Sequence, residues 1–329
     1  MFRKFFAVLL MLLTLLIAAC GEHVETKEKK NLVLYSQLSQ EFTEALLKSY
    51  DLKNSKFTIS AIYELKPELP KPDMILAERN VLLELQEANE LQPTLSGAGD
   101  MLPAKFKDEA GYWYGTFYDP VVFLINQQYA RTVGQEKLRS WFDLESNNDN
   151  IRISVENLSN NNGTINFIGS FASHNGETTT LNFLWNIHRK IDQYAKFPFT
   201  PIRLAAVGDA DLAITRQSFV SQYLENNFPA YVIYPKEGTP INLFCVGVYK
   251  ECKNLSVATD FINWLIADEE VQCISQTIDT GYIFLLPNGV KGKAVSPNGL
   301  WLNTDYVQKE RQDKLITRWL ENVRFNKNN

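Results

Sequence analysis

Pro72-Asp73-Met74-Ile75-Leu76-Ala77-Glu78 decides the architecture. Its four consecutive apolar residues are too few for a helix and do not alternate, so they predict a strand buried on both faces. Pro67, Pro70 and Pro72 isolate the run upstream. Downstream, Leu82, Leu85 and Ala88 recur at helical spacing from about Val81, and Pro93 stops that helix. Leu32-Val33-Leu34-Tyr35 predicts an earlier buried strand. Ser39 then stands where it can cap a helix carrying Phe42, Ala45, Leu46 and Tyr50 on one face, and Phe57–Tyr63 alternates weakly. Strands taking turns with helices predict an α/β chain, with helices on the faces of a sheet.

The pattern continues toward the C-terminus. Gly111–Asn126 (GYWYGTFYDPVVFLIN) is aromatic and strand-like, with Pro120 where a chain could bend between two bodies. Ile151–Val155 and Asp211–Thr215 predict strands, and a polar run from Glu156 to Gly163 leads into a helix from Thr164. Leu255, Ala258, Phe261, Ile262 and Leu265 mark an amphipathic helix, and Asp268 can cap the next.

Of 329 residues, 45% are apolar and 22% charged, with 33 Lys+Arg against 38 Asp+Glu. Those proportions exclude collagen-like, disordered and coiled-coil chains, and the acidic balance argues against a nucleic-acid partner. At the N-terminus, Arg3-Lys4 precedes an apolar stretch, Phe5–Ile17, that ends in Ala18-Ala19-Cys20. A basic start, a short apolar centre and small residues describe an export signal over 1–19. Ile17-Ala18-Ala19-Cys20 resembles the lipobox of bacterial lipoproteins, which implies cleavage before Cys20 and lipid chains on that residue. Two or more acyl chains make a stable anchor. A plain signal peptide or a short membrane anchor is the competing reading. Residues 20–30 are polar, without an apolar period, and read as a tether.

Enzyme signatures are scarce. The chain has no G-x-S-x-G, H-E-x-x-H or G-x-x-x-x-G-K motif. His174 and His188 have neither the spacing nor the neighbours of a metal pair or a triad, and surface imidazoles are expected. Cys245, Cys252 and Cys273 lack C-x-x-C spacing, so no zinc site is expected; export allows one disulfide, Cys252–Cys273. No cofactor is expected.

The informative stretch is Asn160-Asn161-Asn162-Gly163-Thr164, between a strand and a helix. A helix N-terminus offers unpaired N–H groups to a phosphate or carboxylate, and Gly163 lets a ligand approach the backbone. An ordinary capped turn is the alternative. Thr215-Arg216-Gln217-Ser218 follows a buried strand, where ligands of open α/β sheets gather and an arginine can clamp an anion. A solvated loop charge would look the same. Glu78-Arg79 holds the equivalent place in the first half. Trp113, Tyr114 and Tyr118 suit a cleft lining or aromatic strand packing.

The order of these blocks, from Leu32-Val33-Leu34-Tyr35-Ser36 through Tyr112-Trp113-Tyr114-Gly115, Ser140-Trp141-Phe142-Asp143-Leu144 and Gly208–Ile214 to Trp264–Gln272, resembles the iron(III)-type solute-binding proteins of bacterial ABC importers. The resemblance implies the two-lobed type II periplasmic-binding-protein fold, each lobe a mixed sheet flanked by helices, with the ligand in the cleft between lobes. It places lobe 1 at 31–118 and 241–285, and lobe 2 at 119–240 and 286–329. It implies a role without catalysis, as a monomer on the outer face of a membrane, passing a small solute to a permease. Ferric-binding members use a histidine, a glutamate and an adjacent tyrosine pair. Here Ser39 stands near the histidine position, Gln217-Ser218 near the tyrosines, and only Glu78 matches. The family's anion-binding turn does match, at Asn161-Asn162-Gly163-Thr164, and Arg216 beside the missing tyrosines favours an anion. The expected ligand is a phosphate ester, phosphonate or carboxylate, held by Asn161, Asn162, Gly163, Thr164 and Arg216, with Ser36, Ser39 and Glu78 on the first lobe's side. Ferric iron is the alternative ligand. A lipid-anchored enzyme, or an adhesin with a shallow or filled cleft, are the rival functions.

Overall fold

The computed structural model describes residues 30–53, 57–66, 68, 70–134, 138–146, 150–160, 162–224, 229–287 and 299–325. The chain divides into the units Met1–Lys30 and Asn31–Asn329, and apart from Lys30 every element below belongs to the second. The signal segment, Cys20 and Asn161 lie outside the described residues, and so does the side chain of Asn162. Among the described residues, no helix is long and apolar enough to cross a membrane.

The first strands and helices stand where the apolar runs placed them. β1 (Lys30–Ser36), β2 (Phe57–Ile62) and β3 (Met74–Glu78) flank α1 (Gln40–Lys53), and α2 (Arg79–Glu87) follows β3 directly. Ser39 does cap α1: its Oγ accepts from the Phe42 N–H at 3.4 Å. β3 is buried through Met74–Ala77, as an uninterrupted apolar run requires when helices cover both faces. β4 (Leu91–Gln92) then leads to β5 (Trp113–Asn126) and α3 (Gln127–Val133).

The second half repeats the mixture. β6 (Ile153–Glu156) is followed by α4 (Asn162–Asn175), which begins two residues before the expected Thr164, and by α5 (Glu177–His188). Next come β7 (Ile191–Ala195), α6 (Phe199–Val207), β8 (Leu212–Arg216), α7 (Gln217–Leu224) and β9 (Ala230–Ile233). Gly208 ends α6 in the left-handed conformation, φ 87°, that glycine adopts without strain. β10 (Thr239–Tyr249), α8 (Leu255–Ala267), α9 (Glu269–Thr277), β11 (Ile283–Phe284), β12 (Leu300–Trp301) and α10 (Lys309–Trp319) follow, with short helical turns at Gly97–Asp100, Ala104–Phe106 and Phe142–Glu145 and a π-helical turn at Leu320–Arg324. Asp268 caps α9, accepting from the Glu270 N–H at 2.9 Å.

The strands join in the order β2-β1-β3-β10-β5-β8-β6-β7, with β4 and β12 on β10, and β9 and β11 on β5. β1 and β3 run parallel, as do β8, β6 and β7; β10 is antiparallel to β3 and β5, and β5 is antiparallel to β8. The result is a mixed sheet with helices on its faces, the expected α/β class.

β5 passes from one hydrophobic core into another. Its Trp113, Tyr114, Phe117 and Tyr118 belong to a core with Leu34, Phe42, Met74, Ile75 and Phe261. Its Val121, Phe123 and Ile125 belong to a second core around Trp141, Phe171, Phe183 and Trp319, while Val122 and Leu124 face α6 on the other side. Pro120 therefore sits inside a strand, between the two cores. The aromatic residues Trp113, Tyr114 and Tyr118 are packed in the first core, at most 4% exposed, rather than lining a cleft. His174 stacks on Trp301 with ring centroids 4.3 Å apart, and His188 bonds the Tyr194 hydroxyl at 3.0 Å. Cys245, Cys252 and Cys273 are free, the first two buried and the third exposed on α9, so the expected Cys252–Cys273 bridge is not formed.

Trp141 is the keystone of the second core. It is 0% exposed, meets Phe123 edge-on at 4.7 Å and Phe171 at 5.4 Å, and donates its indole N–H to the Gly238 carbonyl at 3.0 Å. Trp141→Ala should destabilise the fold by about 3–5 kcal/mol, read as a lower denaturant midpoint, through the lost rings and the orphaned carbonyl. A change below about 1 kcal/mol would mean that the core closes over the gap.

Candidate functional site

Two strand ends and the middle of a third strand converge where the two cores meet. β3 ends at Glu78, β8 ends at Arg216, and Asp119 sits on β5 between the cores. Arg216 pairs with Val121 across β5–β8, so register alone brings its side chain close to Asp119. The Arg216 guanidinium reaches Glu78 Oε1 at 3.4 Å and Asp119 Oδ2 at 4.0 Å, and lies 4.1 Å above the Phe219 ring. One cation thus stands between two carboxylates.

Asp119 is fully buried, yet its carboxylate is satisfied. The Ser218 N–H donates to one oxygen at 2.9 Å and the Ser218 hydroxyl to the other at 2.6 Å. Gly281 makes that approach feasible from the far side. Its φ is +76°, and a Cβ there would lie 2.5 Å from Ser218 Cα. On the first body, Gln37 Oε1 accepts from the Glu78 N–H at 2.9 Å and so fixes the end of β3. Burial pushes the Glu78 carboxyl up, opposed by Arg216 and reinforced by Asp119. Burial likewise raises Asp119, against the pull of Arg216 and the Ser218 bonds.

Above this triad opens a cleft of ≈ 880 Å³. Ser36, Gln37, Gln40, Glu78 and Asn80 line one wall, Gly163, Arg216 and Phe219 the other, with Phe244 and Tyr282 also on its surface. The structure thereby brings together four of the residues singled out from sequence: Ser36, Glu78, Gly163 and Arg216. Thr164, one residue further into α4, is 8% exposed and lines an inner recess beside Gly163 and Arg216. Ser39 is not among the lining residues and is engaged in its cap. The Ser36 hydroxyl is spent internally, bonding Thr43 Oγ1 at 2.8 Å and accepting from the Leu38 N–H at 3.2 Å.

Sequence reasoning passed over Asp119, Asn80, Gln37, Phe219, Phe244 and Tyr282. Asp119 did carry a signal: it is the lone charged residue in the 14-residue β5, and a single carboxylate in an otherwise apolar strand needs a partner. The others are common residue types whose convergence depends on contacts distant in sequence.

A model of bacterial extracellular solute-binding proteins matches residues 69–310. The chain belongs to that family. Its solved relatives agree on the fold. The periplasmic binding protein AfuA of Actinobacillus pleuropneumoniae, solved with exogenous fructose 6-phosphate bound, is 21% identical with a TM-score of 0.66, over 90% of this chain and 99% of that one. The Trichodesmium protein FutA (IdiA), in complex with iron and citrate, is 19% identical with a TM-score of 0.71, over 88% and 99%. An uncharacterized protein of Haemophilus influenzae is 24% identical over 98% of this chain and 100% of its own length. This solute-binding protein therefore has the two-lobed periplasmic-binding-protein fold, and its relatives form a family of binding proteins.

Because Glu78 and Asp119 hold protons more tightly in the folded protein than in the unfolded chain, the folded state carries the extra protons above pH ~4. Their contribution to stability is complete below the ordinary carboxylate range and is lost as pH rises through their raised folded values. Thermal unfolding from pH 4 upward should show that decline, and Asp119→Asn should flatten it. An identical pH profile in the variant would remove Asp119 from this role.

Proposed function

We propose that this chain is the lipid-tethered receptor of an ABC importer and that it captures a small anionic solute by closing two lobes over it. The carrying observation is the ≈ 880 Å³ cleft in which Glu78 faces Arg216 and Gly163. That volume suits a molecule of sugar size better than a bare cation. Neutral amides from Gln37, Gln40 and Asn80, with the rings of Phe219 and Tyr282, match hydroxyls and the faces of a small ring. The binding of fructose 6-phosphate by AfuA supports a phosphate ester, with phosphonates and carboxylates as the same chemistry.

In this reading the lobes are 31–118 with 241–285 and 119–240 with 286–329, and β5 and β10 form the hinge. Arg216 exchanges partners: without ligand it pairs with Glu78, and with ligand it clamps the anion, whose charge-assisted bonds are shorter and stronger. Asp119, held by Ser218, keeps the guanidinium aimed in both states. Gly163 brings the anion to the start of α4, where unpaired N–H groups and the helix dipole favour negative charge. Asn161, Asn162 and Thr164 are the further contacts of the anion in this reading, and Ser36 and Glu78 shape the opposite wall, with Ser39 held in the cap of α1. Closure selects the form a permease recognises, and no bond is made or broken. A lipidated Cys20 holds the monomer at the outer face of a membrane.

Ferric iron is the second reading, favoured by Glu78 lying in one cleft with the Tyr35, Tyr63 and Tyr282 rings. A hard cation needs anionic oxygens, and burial raises the Tyr282 phenol to about 12, so iron would have to displace that proton.

Thermal unfolding of the chain from Gly21 onward, against phosphate esters, phosphonates, carboxylates and ferric citrate, separates these ligands. A ligand at 100 times its Kd stabilises by about 2.7 kcal/mol. A shift with one anionic class is expected, and a shift with ferric citrate alone would replace the anion by iron. Arg216→Ala should weaken the anion about 100-fold by calorimetry, as truncating one partner of a buried charge pair does; unchanged affinity would exclude the clamp. Cys20→Ser should move the protein from the membrane to the soluble fraction on fractionation, and retention there would point to an uncleaved anchor.

A further inference from the structure

The cleft holds more negative than positive charge. Among the described residues that line it, Arg216 is the one cation and Glu78 the one carboxylate. Asp119 stands behind Arg216, fully buried and 4.0 Å from its guanidinium. Arg79, next in sequence to Glu78, is not on the lining. Its guanidinium is engaged elsewhere, donating to the Asn303 carbonyl at 3.1 Å and lying 5.1 Å from the Trp113 ring centroid. Glu44, exposed on α1, accepts from the amide of the lining residue Gln40 at 2.7 Å and adds another negative group nearby.

Arg216, Glu78 and Asp119 together leave one net negative charge when ionised, of which the start of α4 at Gly163 offsets about half. An anion bound at Arg216 meets that field at short range. Its first negative charge takes the place that Glu78 held against the guanidinium. A second charge finds no cation, because Gln37, Gln40 and Asn80 offer only neutral amides. It is repelled by Glu78 and Asp119 through a medium far less screening than water. It also raises the desolvation cost, which in the Born picture grows with the square of the charge. The chain's formal net charge of −5 supplies no compensating attraction from further away.

We infer, on the anion-capture reading proposed for this cleft, that it selects anions of single charge, such as a carboxylate, a sulfate ester or a phosphate diester, over the doubly charged phosphate monoester of the same shape. Glu78 sets that preference. It is the one carboxylate on the lining, and a neutral amide in its place removes a repelling charge while leaving Arg216, Asp119 and the start of α4 as they are.

Ligand pairs with one carbon frame and one tetrahedral ester group, differing only in charge, test the preference. Fructose 6-phosphate against fructose 6-sulfate is one pair, and glycerol 3-phosphate against glycerol 3-sulfate the other. At pH 8 each phosphate carries two negative charges, its second pKa being about 6, and each sulfate carries one. Calorimetric titration at fixed pH and ionic strength should show the sulfate binding about 10-fold tighter in any pair that binds. In Glu78→Gln the phosphate should gain more than the sulfate, so that the gap closes to about 3-fold or less. A phosphate that binds the unaltered protein as tightly as its sulfate would overturn the inference and leave anion capture standing. A gap unchanged in Glu78→Gln would overturn the role given to Glu78. Silence from both members of both pairs, with ferric citrate bound, would overturn the preference and the anion reading together. Should Glu78→Gln fail to fold, the pairs on the unaltered protein decide alone.

Discussion

Two long antiparallel strands, β5 and β10, are buried along their whole length, and the site depends on their pairing. They hydrogen-bond from Ile241–Pro120 to Gly247–Trp113, and β5 continues beyond that pairing into the second core. A strand shared by two cores cannot leave either without losing its ladder, so both bodies must be built around one line. Every polar group at the crossing is then desolvated at once. Asp119 stands at that point, which explains why it demands Ser218 and Arg216, and why Arg216 is held where β8 ends.

The electrostatics at the crossing follow from that demand. A buried carboxylate would otherwise protonate, and a buried guanidinium with two carboxylates is electrostatically overprovided. Arg216 is thus satisfied in the empty protein but retains an exchangeable partner: Glu78 lies at 3.4 Å, long for a charge-assisted bond, and belongs to the other body. Asp119, by contrast, is fixed by two short Ser218 bonds. In the proposed reading, an anion entering from the cleft competes with the loosely held partner and leaves the firmly held one in place, so that selectivity for anions would come from the exchange of partners rather than from a bare positive charge.

The elements were largely legible in the sequence because apolar runs report burial directly. Met74–Ala77 and Leu212–Thr215 are strands for the reason their composition suggests, and Asp268 and Ser39 cap helices through ordinary side-chain chemistry. Two strand ends, Glu78 and Arg216, and the helix start at Gly163 were picked out from sequence, and the three line one cleft. What sequence could not disclose was pairing. Arg216 and Glu78 are 138 positions apart, and nothing local says that each has the other as partner. Ser39 forms the cap its place in the sequence suggested, while the ligand contact also expected of it finds no place among the residues lining the cleft. The aromatic stretch Trp113–Tyr118 served the core rather than the cleft, since β5 has no exposed face at all.

The central claim is that the bound anion takes Arg216 from Glu78, and calorimetric titration of the Glu78→Gln variant tests it most directly. With the phosphorylated compound that best stabilises the unaltered protein, the account predicts affinity that is kept or tightened severalfold, because the competitor for Arg216 has lost its charge. Loss of binding in that variant would contradict the account and make Glu78 a direct ligand, as a cation would require.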